Sequence, residues 1–364
     1  MAQLDLGGLK MDPWLGFSAD DIRDHLVAGM THPRFKERWK YTSIKKVFGL
    51  TIADQDAPPK ITGLDQPGVT QSKESSKEIK TLISPDLINE KIIMVGQTKS
   101  PLSIRISEPL EKPIQLTHRQ NCSAIFFFIG PGVKCEINEY FEGAQSQQHA
   151  IWLRLGPNSQ VVHSRQSLNS DAWAWKYLNL GQESQSSYKL HCHNVGGKLK
   201  RDDFDINIDG DRASFELKSA SYVGAGQHLD QQISLRHLGR DTFSDQQIHN
   251  VGDSQSTATC NGRILIEKQA SRTNAALSNK NLSLGDNVTF NAKPELEIYN
   301  DDVTCSHGAT IGQLSDSELF YLTSRGIGPA NAKRLVARGF LNKALDGPLE
   351  EKSTQHFKQF FSDR

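Results

Sequence analysis

A cysteine and a histidine two positions apart, Cys305 and His307, are the residues of this sequence best suited by type and spacing to do chemistry. On an extended strand, side chains at i and i+2 lie on one face about 7 Å apart, so a thiolate sulfur and an imidazole nitrogen converge on one soft ion. Structural zinc takes about four ligands, so two donors make either a transient site or one that another chain completes. A second same-face pair, His191 and His193, flanks Cys192 and reads more simply as histidines in a polar ladder.

Two other motifs point elsewhere. Asp205-Ile206-Asn207-Ile208-Asp209-Gly210 with Glu216 matches the spacing of a calcium-binding loop. Its flanks alternate like strands (Phe204, Ile206, Ile208, then Ala213, Phe215, Leu217), whereas a calcium loop of this kind needs helices on both sides. The better expectation is two strands joined at an Asp-Gly turn. Gly326-Ile327-Gly328-Pro329-Ala330-Asn331-Ala332 resembles the hairpin of helix-hairpin-helix DNA-binding modules, and Arg325, Lys333, Arg334 and Arg338 add local positive charge. A Gly-Pro break between two packed helices explains it as well. Phosphate-loop, nucleophile-elbow and HExxH patterns do not occur, which leaves ATP hydrolysis, an α/β-hydrolase triad and a zincin site without support.

The elements that must position these residues fall into three regions. Residues 1–87 begin with helical signals, Ser18 and Asp21 capping one segment and Pro33 opening another, and continue into a Pro-, Gly- and Ser-rich stretch that reads as a loop or linker. Residues 88–312 carry short β-type segments, among them Ile92 to Val95, Ile125 to Ile129, Val133 to Ile137, Ile151 to Leu155 and Ile264 to Glu267. No helical stripe interrupts them, so the fold is mainly β: a sandwich, a barrel or a β-solenoid. Asp230-Gln231-Gln232-Ile233 recurs fifteen positions on as Asp245-Gln246-Gln247-Ile248, a fraction of a solenoid coil. Residues 313–364 return to a helical period, with Ala332, Leu335, Val336 and Phe340 on one face.

Composition narrows the function classes. Among 364 residues, 42 Lys and Arg balance 42 Asp and Glu, which removes the basic field that non-specific nucleic-acid or membrane-surface binding rests on. The longest apolar run, Ala124 to Ile129, is far short of a membrane span. With five scattered cysteines and no CxxC, the expectation is a cytoplasmic protein with reduced thiols.

The segment Lys293 to Ile327, KPELEIYNDDVTCSHGATIGQLSDSELFYLTSRGI, resembles the signature of the SufB/SufD family of iron-sulfur cluster assembly subunits, on its SufD-like side. Phe204 to Tyr222, FDINIDGDRASFELKSASY, resembles a coil of that family's solenoid, and Arg38 to Ile44, RWKYTSI, its N-terminal WKYT element. SufB-like chains typically read HEAT where this sequence has His307-Gly308-Ala309-Thr310. The resemblance implies a flat right-handed parallel β-helix flanked by N-terminal and C-terminal helical parts. It also implies a non-enzymatic scaffold that pairs with a SufB-like subunit and binds a SufC-like ATPase. On that footing Cys305 and His307 lie at the heterodimer seam, sharing transient iron or a nascent iron-sulfur cluster with the partner and holding none stably. Leu319, Phe320, Tyr321, Arg325, Leu335 and Phe340 would then form the ATPase docking surface. A homodimer of the isolated chain stays open, as do two other functions: a β-helix enzyme acting on an acidic polysaccharide through Asp202, Asp203, Asp205 and Asp209, and the DNA-binding hairpin.

Overall fold

The computed structural model describes residues 33–42, 59–72, 101–119, 122–143, 146–167 and 173–362. The segments expected near Ser18 and at Ile92 to Val95 lie outside the described residues. Among those described, eighteen strands form two nine-stranded sheets. Sheet one holds β1 (Lys60–Thr62), β4 (Ile114–His118), β6 (Lys134–Phe141), β8 (Gln160–Ser167), β10 (Ser187–Val195), β12 (Ser214–Val223), β14 (Phe243–Gly252), β16 (Thr273–Ser283) and β18 (Val303–Gln313), in that order. Sheet two runs from β2 (Val69–Ser72) through β3 (Leu102–Ile106), β5 (Cys122–Ile129), β7 (Gln147–Leu155), β9 (Trp173–Gln182), β11 (Leu199–Ile208), β13 (His228–His237) and β15 (Thr257–Ile266) to β17 (Thr289–Ile298).

The chain thus alternates between sheets and returns to each one coil later, pairing in parallel: Ser187 with Ser214, Ser214 with Phe243, Phe243 with Asn274. Each coil takes roughly thirty residues, the scale of a solenoid repeat. The expected β-solenoid is therefore present. The fifteen-residue echo is half a coil, because Asp230 lies on β13 of sheet two and Asp245 on β14 of sheet one.

Alternation turns every second side chain inward, and the inward ones fill the space between the sheets. Phe127, Leu153, Leu178, Phe204, Ile233 and Ile264 from sheet two meet Ile137, Tyr188, Phe215, Leu217 and Leu277 from sheet one in one continuous apolar core. Burying each large side chain contributes about 1.5–3 kcal/mol before ordering costs. The corners repeat as well. Asn158, Gln185, Arg212, Asp241 and Arg272 each adopt positive φ, and each N–H donates to a carbonyl of the next coil's corner, as from Gln185 to Asp211 at 2.9 Å. Asp205 and Glu216, the outer positions of the calcium-loop match, sit in different sheets across the Arg212 corner, and Glu216 pairs with Lys189 at 3.1 Å. That spread leaves no loop to wrap an ion.

Helix α1 (Pro33–Arg38) and the residues after it lie on the outer face of sheet two. Trp39 packs edge-on against Trp175 with ring centroids 5.6 Å apart, the Arg201 guanidinium sits 3.8 Å over Trp39, and Arg38 reaches Asp203 at 3.1 Å. The stretch read as a loop after this helix contains β1 and β2, which pair antiparallel with β4 and β3. Strands of three and four residues are too short to show an alternating pattern, which is why the sequence hides them.

Three further helices follow the solenoid: α2 (Asp316–Ser324), α3 (Pro329–Asn342) and α4 (Glu350–Ser362). A second core joins them to the outer face of sheet one, with Ala337, Leu341, Leu345 and Phe357 against Val195, Tyr222, Val251 and Leu282. In α3 Ala332, Ala337 and Leu341 are buried and Val336 and Phe340 pack against the same core, so of the face anticipated from Ala332, Leu335, Val336 and Phe340 only Leu335 turns outward.

Candidate functional site at the open end of the solenoid

Strand β18 is the last of sheet one and has a single neighbour, β16. Its register sets Cys305 beside Ala275 and His307 beside Leu277, two residues that are 1% and 3% exposed within the inner core. Cys305 and His307 therefore share the inward face, where the two-residue spacing placed them. One coil further on there is no described strand above them, so Cys305 is half-buried against the core and His307 is exposed. Across the lumen, β17 is the last strand of sheet two. Leu277 packs against Gly262, so in the next layer His307 stands opposite Pro294, the register partner of Gly262.

Burial raises the Cys305 thiol above its ordinary range, partly offset by a backbone hydrogen bond at Ala275. The thiol is thus neutral at pH 7, and metal binding there releases a proton. Cys135, Cys192 and Cys260 are fully enclosed, and burial pushes each up to about 12. Cys122 is buried too, so Cys305 is the one cysteine with partial access. Among the described residues no group of three or more His, Cys, Asp or Glu side chains is arranged to hold a metal ion. Cys305 and His307 remain two donors at an open edge.

The other sequence candidates have different settings. Around α2 and α3, Phe320 is 73% exposed and Tyr321 57%, with the Arg325 guanidinium 5.0 Å over the Tyr321 ring. Tyr321, Leu335 and Phe340 line a groove of about 640 Å³ together with Leu282, Leu322 and Val336. Phe340 also anchors the helix, since its carbonyl accepts from His249 Nδ1 at 2.9 Å. Leu319, Phe320 and Arg325 lie outside the groove lining. The Gly326–Pro329 hairpin is the turn between α2 and α3, with Gly326 at φ +85°.

His193 does not form a ladder: its Nδ1 meets Ser353 Oγ of α4 at 2.6 Å, and the ring of neighbouring His191 packs under Gly347. This helix-docking role leaves no local signal, because His193 and Ser353 lie 160 residues apart. The acidic run also disperses. Asp202 points inward to Lys176 at 2.8 Å, while Asp203 and Asp205 point outward to Arg201 and Arg38. Asp202 thus faces the opposite side of β11 from Asp203 and Asp205, and Arg38 neutralises both outer carboxylates, so the run does not form the facing carboxylate pair of a polysaccharide-cleaving site.

The sequence reading missed an enclosed polar cluster in the lumen. Glu139 accepts from His118 Nε2 at 2.8 Å and Arg165 Nε at 2.5 Å, with His163 Nε2 at 3.3 Å. Burial alone would raise the carboxyl, but Arg165 and the two histidines outweigh it and hold Glu139 well below the usual range. A Glu, an Arg and two His spread over three strands give no contiguous motif, and the cluster is a buried ion-paired core in which Arg165 Nη2 has no hydrogen-bond partner.

The family model for the SUF system FeS cluster assembly SufBD core domain matches residues 117–340. Iron-sulfur cluster assembly protein SufD of Escherichia coli is 23% identical over 87% of this chain and 85% of its own length. An iron-sulfur cluster assembly SufBD family protein of Mycobacterium bovis is 31% identical over 85% of this chain and 83% of its own length. Another, from Synechocystis sp., is 34% identical over 53% of this chain, which spans only 43% of that relative. A two-sheet parallel solenoid, a Cys-x-His pair on its terminal strand and a family match across the coils that carry both lead to one assignment: the chain belongs to the SufBD family of iron-sulfur cluster assembly proteins.

Proposed function

We propose that this chain is the SufD-like scaffold subunit of an iron-sulfur assembly complex, pairing through its open solenoid end with a SufB-like chain and carrying a SufC-like ATPase on its C-terminal helices. The observation that carries the reading is the uncovered β18, with Cys305 and His307 on its inward face. Two soft donors at an edge become a useful site once a second chain brings further ligands. Iron or a nascent cluster is then cargo shared across the seam, and the scaffold itself turns nothing over.

A cation received at the seam would displace the Cys305 proton. ATP-driven dimerisation of the ATPase subunits would strain the seam through α2 and α3 and alternately bury and present the two donors, a two-state interface of a familiar kind. The setting proposed is the cytosol, and no helix among the described residues is long and apolar enough to cross a membrane.

Co-purification tests the reading. The tagged chain, expressed in its own host, is expected to bring down a SufB-like and a SufC-like protein. Recovery of neither removes the scaffold function.

A further inference from the structure

Residues 37–42 cross the outer face of sheet two with a different hold at each end. At one end the grip is buried. Trp39, 7% exposed, packs against Trp175 of β9 and under the Arg201 guanidinium of β11. Asp203 accepts from Arg201 Nε at 2.8 Å and from Trp175 Nε1 at 2.7 Å, and the Thr42 hydroxyl donates to Asp230 of β13. The side chains of Arg201, Asp203 and Asp230 are fully enclosed, so salt screens the pairs among them little.

At the other end the grip stands in water. Glu37 of α1 pairs with Lys293 of β17, the third strand beyond β11 and about 14 Å from it at ~4.8 Å per strand. The Glu37 side chain is half exposed. Between the two grips, Glu37 and Arg38 roof a cavity of about 430 Å³ lined by Gln232, Asn261 and Arg263. Lys293 also holds Glu295 of its own strand, so the ammonium keeps a carboxylate when Glu37 swings away. An exposed ion pair over a cavity is weak and salt-sensitive, as a buried network is not.

We infer that residues 37–42 form a strap, anchored on β9, β11 and β13 and latched to β17 through Glu37, and that release of the latch loosens the last strand of sheet two. The effect reaches the candidate site, because Pro294, next to Lys293, stands opposite His307 across the lumen. A closed latch holds that wall in place, and an open one lets it move relative to Cys305 and His307. The device belongs to the isolated chain, so it stands or fails independently of the proposed pairing.

Hydrogen exchange on the intact chain tests it. The Thr289 N–H donates to Ser256 O next to β15, and the alternation of a parallel strand gives Asn291, Lys293, Glu295 and Glu297 the same role toward β15. In Glu37→Gln those amides should exchange about threefold faster, while amides of β9 and β11 stay within about 1.5-fold of wild type. Raising NaCl to about 0.5 M should reproduce the rise in the wild-type chain and add nothing in Glu37→Gln. Glu37→Lys alone should lower protection of β17, and pairing it with Lys293→Glu should restore it, a rescue that a general loss of packing would not give. Unchanged β17 amides in Glu37→Gln, an equal rise in β11, or failure of the exchanged pair to rescue overturns the strap.

Discussion

The solenoid has two ends built on the same coil and finished in opposite ways. At the first end, β1 and β2 turn back antiparallel on β4 and β3 and cover both sheets. Gln66 ties the cap down, donating to Gly63 O at 2.8 Å and Lys112 O at 2.9 Å and accepting from the Lys112 N–H at 2.8 Å. At the last end, β17 and β18 are ten and eleven residues long, and no described strand covers either edge. Ile298, Tyr299 and Ile311 stay exposed around it. A long edge that no described strand covers, bordered by apolar side chains, is prone to association, and the proposed pairing would use that edge.

The sharpest break in that comparison comes from substituting one inward residue in the closed coils and one at the open end. Phe204→Ala should cost about 3–5 kcal/mol in equilibrium unfolding, because Phe204 is fully enclosed and its neighbours are held by two sheets. Cys305→Ala, only half-buried, should cost less than about 1 kcal/mol. Comparable losses at both would mean that the open end is already packed.

Acid should next separate the C-terminal helix from the coils it is docked on. His193, docked on Ser353, has its pKa lowered by burial from 6.5 to about 4, so the fold favours the neutral ring. Its contribution is complete above pH 6.5 and is lost as pH falls toward about 4, on the order of 3 kcal/mol over that window. The docking of α4 on β8 and β10, in the middle of sheet one, should therefore loosen as pH falls, read as faster hydrogen exchange in α4. Loss of protection in β10 at the same pH would show that the helix is not a separable unit.

Glycine substitutions give a smaller and cleaner contrast. Gly68 in the cap has φ +73°, and a Cβ there would fall 2.6 Å from the Glu108 side chain, so Gly68→Ala should cost about 1–3 kcal/mol. Gly308 on β18 is open: a Cβ added there would meet no atom within 4 Å, so Gly308→Ala should leave the isolated chain within about 0.5 kcal/mol of wild type in a denaturant titration.

The same two ends explain what the sequence could convey. Alternation marked the long strands, and the period of two put Cys305 and His307 on one face before any fold was known. The cap escaped because β1 and β2 are too short to alternate. Of the repeat only the half-coil echo at Asp230 and Asp245 showed, because its fuller signature is a conformation rather than a residue type: Asn158, Gln185, Arg212, Asp241 and Arg272 share one left-handed corner with four different side chains. The docking role of His193 depends on Ser353, and no local pattern links positions so far apart.

His307→Ala is expected to have the smallest effect on the isolated chain and to be the most informative about the open end. The imidazole is exposed on a strand whose ladder to β16 uses backbone groups alone, so its removal leaves no cavity and no unpaired buried atom. Unfolding midpoint and co-purification with the partners should both match wild type. If the open end holds cargo at the seam, removing one of two soft donors should lower the activity of cluster-dependent enzymes in cells that rely on this chain, and His307→Cys, which restores a soft donor on the same face, should recover part of it. Unchanged cluster-enzyme activity in His307→Ala would reduce the open end to a joint and remove His307 from the chemistry. A fall in complex recovery instead would make the side chain part of the joint itself.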